Sequence, residues 1–158
     1  MLLFVLTVAA AVGSGLMAGL FGAFSTFLMR ALAEIPRPMG AVAMRRINVV
    51  IIRPSFLLVF MGTAVVSAAA LVVGWDDLGA SRTAALVGAG AYIVGCLLVT
   101  VARNVPLNDR LEAVDPEGSD ADAMWDLYLS DWVRWNHVRS LATLIATIAW
   151  ILAAAAIH

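Results

Sequence analysis

The chain alternates long apolar runs with polar connections. A bilayer core about 30 Å thick needs roughly 20 apolar residues in a helix. Four runs reach that length: residues 2–29, 54–73, 83–102 and 138–157. The first has no positively charged leader and is too long for a signal-peptide core, so it predicts a retained spanning helix. The second opens at Pro54, and proline suits the first turn of a helix. The pattern predicts an all-α, integral membrane four-helix bundle forming one domain, 1–158.

The connections carry helix signals of their own. After Pro36 and Pro38, residues Met39, Val42, Ala43, Arg46, Ile47, Val50 and Ile51 recur at helical spacing. They predict a short helix along the membrane interface that turns inward at Pro54. In "DPEGSDADA", Ser119 or Asp120 can cap a further helix. No breaker follows until His158. A helix of about 38 residues is roughly 57 Å long and exceeds the hydrocarbon core by roughly 25 Å. It therefore projects from the membrane or bends near Trp135 and Asn136. Trp125, Tyr128, Leu129, Trp132, Trp135, Asn136 and Arg139 share one face of the projecting part. That stripe packs on the interfacial helix or forms an aromatic belt at the headgroups.

Small residues suggest how the helices meet. Gly15, Gly19 and Gly22, and likewise Gly88, Ala91 and Gly95, stand at three- and four-residue spacing. Such faces let backbones approach in lipid. Packing within the chain is the simpler use of them; a homo-oligomer face is the alternative.

Composition agrees with a membrane protein: 63% of residues are hydrophobic and mean hydropathy is +0.95. Membrane lipids are then the implied surroundings. Net charge is −1 and no basic stripe exists away from the segment ends, which excludes a nucleic-acid partner. All ten cations are arginine. Cys96 is the one cysteine, so no intrachain disulfide can form, and inside an apolar run it reads as a small hydrophobe. Arginine placement sets the expected orientation. The first connection carries Arg30, Arg37, Arg45, Arg46 and Arg53, the second only Arg82, and the third Arg103, Arg110 and Arg134. The first and third connections, with their interfacial helices, are expected on the cytoplasmic side of the cell membrane, and both termini on the other side.

The candidate chemistry gathers at the expected cytoplasmic ends. In "NVPLN", Asn104 and Asn108 lie four residues apart on one face, and Pro106 deprives the Ala102 carbonyl of its helical donor. Asn136, His137 and Arg139 open the fourth apolar run, while Arg53 and Asn48 precede the second. Antiparallel packing would bring these groups to one depth. In one reading the amides satisfy helix ends and the arginines anchor headgroups. In the other they line a pocket, where Asn, His, Arg and Trp could bind a flat aromatic molecule, hold an oxyanion and move one proton.

Four stretches, in this order, resemble the anthrone oxygenase family of small four-helix membrane proteins: "GLMAGLFGAFS", "MRRINVVIIRPSFLLVFMG", "NVPLN" and "WVRWNHVR". They are spread along most of the chain, from Gly15 to Arg139; the last two are the more specific pair. For some members the resemblance implies oxidation of an anthrone to an anthraquinone by molecular oxygen, with no cofactor. On that expectation His137 would be the base. Arg139, Arg53, Asn104 and Asn108 would hold the oxyanion. Trp132 and Trp135 would stack on the rings, with Asn48 and Asn136 beside the substrate. The alternative is a non-catalytic membrane module that binds a lipid, a small hydrophobic ligand or a partner protein.

Overall fold

The structure is a computed structural model that describes residues 1–157. Five helices make the fold: α1 Leu2–Glu34, α2 Met39–Ile51, α3 Pro54–Gly74, α4 Gly79–Ala113 and α5 Ala121–Ala155. All but α2 are long and apolar enough to cross a membrane. The expectation that the last helix continues to His158 falls, at that residue, outside the described chain.

Three of the helices overshoot a bilayer at the arginine-rich end. α1 has 33 residues, and α4 and α5 have 35 each. At 1.5 Å per residue each is about 50 Å long, against a hydrocarbon core of about 30 Å. α3, with 21 residues, is about 31 Å long and matches the core alone. α2 supplies the missing length above it. The chain breaks at Arg53, whose backbone is extended, and Pro54 opens α3. α2 and α3 thus stand in series beside α1. The short helix and its break at Pro54 are as the pattern predicts, but α2 runs along α1, with Ile47, Val50 and Ile51 beside Leu20, Phe24 and Leu28, and does not lie flat along the interface.

This arrangement creates two apolar cores, one above the other. The lower holds Met17, Phe21, Phe60, Tyr92 and Trp150, drawn from α1, α3, α4 and α5. The upper holds Phe24, Met44, Leu111, Trp125, Tyr128 and Trp132, drawn from α1, α2, α4 and α5. The aromatic stripe of α5 therefore packs inward: Trp125 stacks on Tyr128 and Tyr128 on Trp132, with ring centroids 5.8 and 5.4 Å apart. Gly40 of α2 lies against Trp125. Arg37 clamps the upper end by pairing with Asp122 and Asp126.

Glycine acts where backbones meet. A Cβ on Gly13 would collide with Thr63 of α3, and one on Gly88 would come within 2.9 Å of Trp150. Gly19 and Gly22 differ, because a Cβ on either would meet nothing within 4 Å. They line a groove instead of a helix contact.

Three of the helices loosen into π-helical turns near the level where the two cores meet. The turns are Phe24–Leu28 in α1, Thr100–Asn104 in α4 and Tyr128–Trp132 in α5; α4 has a further one at Ala91–Leu98. Pro106 therefore sits inside α4 and does not end it. The Val105 N–H donates to the Thr100 carbonyl five residues back, so the ladder has already widened before proline removes a donor. π-turns recur at functional sites.

Candidate functional site: a polar layer and the groove beside it

Between the two cores lies a layer of buried polar side chains. Asn104 and Asn136 are 1% and 0% exposed and Arg139 is 5% exposed. Asn136 is the hub. Its Nδ2 donates to the Phe21 carbonyl at 2.9 Å and to Ser25 Oγ at 2.7 Å. Its Oδ1 accepts from Arg139 Nη2 at 2.7 Å. Ser25 and Ser140 hydroxyls are 2.9 Å apart, and Ser140 donates to the Asn136 carbonyl at 2.9 Å. With Ser140 donating there, Ser25 is the donor between the two hydroxyls. The chain then runs in one direction, from guanidinium to amide to Ser25 to Ser140. Each bond polarises the next.

Arg139 is a buried cation without a carboxylate. Its Nη1 donates to Thr100 Oγ1 at 3.2 Å. The guanidinium lies over Phe21 at 4.2 Å and over Trp132 at 5.2 Å. Cation–π contacts of this kind are worth up to about 2 kcal/mol each when water is excluded, which offsets part of the desolvation. No ion pair reaches it among the described residues. Its positive charge is therefore directed into the layer.

The other asparagines tie helices together. Asn104 Nδ2 donates to the Trp132 carbonyl at 3.2 Å, joining α4 to the π-turn of α5. Asn108 accepts from the Tyr128 hydroxyl at 2.7 Å, and Asn48 Nδ2 reaches the same hydroxyl at 3.4 Å. Both buried amides, Asn104 and Asn136, thus donate to carbonyls at or beside π-turns, where the ladder has been disturbed. Arg53 is exposed and stands apart from the layer. Trp132 is core, and Trp135 is half-buried between Arg103 and Arg134 at 4.9 and 5.9 Å.

His137 is exposed on the far side of the helix from Arg139. It opens onto a groove of about 630 Å³ between α1 and α5, lined by Gly15, Gly19, Gly22, Ser140, Leu144 and Thr147 among others. The side-chain-free face of α1 makes this groove. Its lining from His137 to Thr147 runs about 15 Å along α5, and it opens outward along its length. Ser140 belongs to both the groove and the polar chain. An apolar, open-sided trough therefore has an imidazole at one end and, behind its wall, a hydrogen-bond chain leading to a buried cation. Ser25, Ser140, Thr100 and the Tyr128 hydroxyl are the partners that residue type alone did not single out.

Fold and site together define a helical bundle of membrane-spanning type with a polar layer at the junction of two cores. Residues 56–149 match the family model described as anthrone oxygenase. The chain belongs to that family. The matched region takes in Asn104, Asn108 and the whole Trp132–Arg139 stretch. No curated protein and no solved structure matches the chain.

Proposed function

We propose that the chain oxidises an anthrone-like aromatic molecule with molecular oxygen in the groove between α1 and α5. The observation that carries the reading is the sharing of Ser140 between the groove and the chain of bonds that ends at Arg139. An anthrone methylene is acidic because loss of its proton makes an aromatic enolate. His137 takes that proton as a neutral imidazole. When substrate binds, Ser140 turns its one hydroxyl hydrogen from the Asn136 carbonyl to the enolate oxygen, still accepting from Ser25, which is polarised in turn through Asn136. The enolate gives one electron to oxygen, and the radical pair joins to a peroxide at the former methylene carbon. The peroxide is protonated. Loss of the second C–H proton then breaks the O–O bond and expels water. Substrate and oxygen go to quinone and water: two C–H bonds are lost and one C=O is gained. In this scheme no metal or flavin carries the electrons. An apolar substrate reaches the trough sideways from the bilayer.

A second reading is favoured by the packing of the polar layer itself. Asn104, Asn136 and Arg139 are buried and bonded within the protein, which suits a non-catalytic module whose groove holds a lipid or other apolar ligand. Filling the groove separates the two. Gly19→Leu projects into open space, so the fold is expected to persist. The oxygenase reading predicts at least a tenfold loss of quinone formation from a model anthrone in Gly19→Leu, with Ser140→Ala also slowed. Activity indistinguishable from uncatalysed oxidation in every form supports the binding module.

A further inference from the structure

We infer that the face between α1 and α2 is a site for one anionic phospholipid, with its phosphate on Arg46 and an acyl chain in the apolar groove below. The groove is lined by Leu20, Phe24, Leu28, Ile47, Val50 and Ile51, with Arg46 as its one charged group, and has a volume of about 530 Å³. It is independent of the α1/α5 groove and of the reaction proposed there.

The charges select the ligand. Residues 30–53 hold five arginines and one glutamate. Arg30 is matched by Glu34, Arg37 by Asp122 and Asp126, and Arg45 donates to the Val114 carbonyl. The side chains of Arg46 and Arg53 have no hydrogen-bond or ion-pair partner among the described residues. The surplus positive charge of this segment is thus concentrated on one stretch of surface, at the mouth of an apolar trough.

Depth selects it further. The hydrocarbon core matches α3, which starts at Pro54. Arg46 stands seven residues before Arg53, about 10 Å further out along α2. That is close to the headgroup layer, which adds roughly 5–8 Å on each side of the core. The apolar lining continues from there toward the core, through Val50 and Ile51 to Leu20. A phospholipid carries its charge and its chain in that order and at that spacing. An arginine fork holds phosphate at two points, and a basic group near an anionic headgroup layer is attracted to it.

The test is native mass spectrometry of the full chain released from nanodiscs holding equal phosphatidylglycerol and phosphatidylcholine with identical acyl chains. The expected result is a retained phosphatidylglycerol adduct at least about fivefold enriched over phosphatidylcholine. Arg46→Gln should abolish the enrichment, Val50→Trp should lower retention of the lipid, and Arg30→Gln should change neither. Equal retention of the two lipids by the wild type would overturn the site. So would enrichment that survives Arg46→Gln. Helical circular dichroism of each variant in the same nanodiscs verifies that a loss of lipid is not a loss of fold.

Discussion

Replacing Asn136 with alanine removes the one side chain that joins α1, the Arg139 guanidinium and the serine pair. Three bonds go with it: to the Phe21 carbonyl at 2.9 Å, to Ser25 Oγ at 2.7 Å and from Arg139 Nη2 at 2.7 Å. Bonds between helices in lipid average about 0.6 and reach about 1.7 kcal/mol. The bond to a charged group is worth about 1.5–3 kcal/mol. Asn136 is fully buried, so water does not readily replace what is lost. The sum is about 3–6 kcal/mol. Asn136→Asp should cost less, about 1–3 kcal/mol, because a carboxylate keeps the acceptor and gives Arg139 a counter-charge while losing both donations. Equilibrium unfolding in mixed dodecyl maltoside and SDS micelles, followed by tryptophan fluorescence, measures both. The double variant Asn136→Ala with Arg139→Leu should be less destabilised than the two singles added, by at least about 1.5 kcal/mol, since removing both partners strands neither. A single alanine variant within about 0.5 kcal/mol of wild type would refute the hub, as would strict additivity.

Other predictions concern packing and topology. Gly13→Ala should cost about 1–3 kcal/mol in the same unfolding assay, because the added methyl meets Thr63; Gly13→Ala with Thr63→Ala should recover most of it, and no recovery would place the strain elsewhere. If the first and third connections face the cytoplasm, a cysteine at Asp77 is labelled by a membrane-impermeant maleimide in intact cells and one at Arg46 is not. The reverse pattern would invert the orientation.

Hydropathy showed the four long helices because each apolar run must hide its backbone from lipid. It did not show how far they continue past the apolar runs. The second core lies outside a bilayer-length segment, where amphipathic spacing weakens the hydropathy signal: α1 runs past Met29 to Glu34 and α4 past Ala102 to Ala113. In "NVPLN" a disturbance of the helix at Pro106 was legible, but the π-turn that carries the helix through it was not. Asn104, Asn136 and Arg139 were legible as partners in a polar region, since a buried amide or guanidinium must find bonds. Ser25, Ser140 and Thr100 were not, because hydroxyls in an apolar helix commonly bond their own backbone. His137 stands one residue from Asn136, but one residue turns the helix by about 100°. That rotation takes the imidazole out of the polar layer and into the groove, which linear proximity could not reveal. Arg53 fell outside the layer because α2 and α3 stand in series, so their junction lies on the outer surface.

The most direct test of the central claim is the rate of oxygen-dependent quinone formation from a model anthrone by the purified chain in nanodiscs, against nanodiscs without protein. Wild-type turnover should exceed the background without added metal or flavin. His137→Ala should lower it by roughly 10²–10⁴-fold, the usual contribution of a general base. Arg139→Lys should also slow it, since an ammonium loses the planar fork that reaches both Asn136 and Thr100. Wild-type turnover no faster than the background, or turnover unchanged in His137→Ala, would contradict the account.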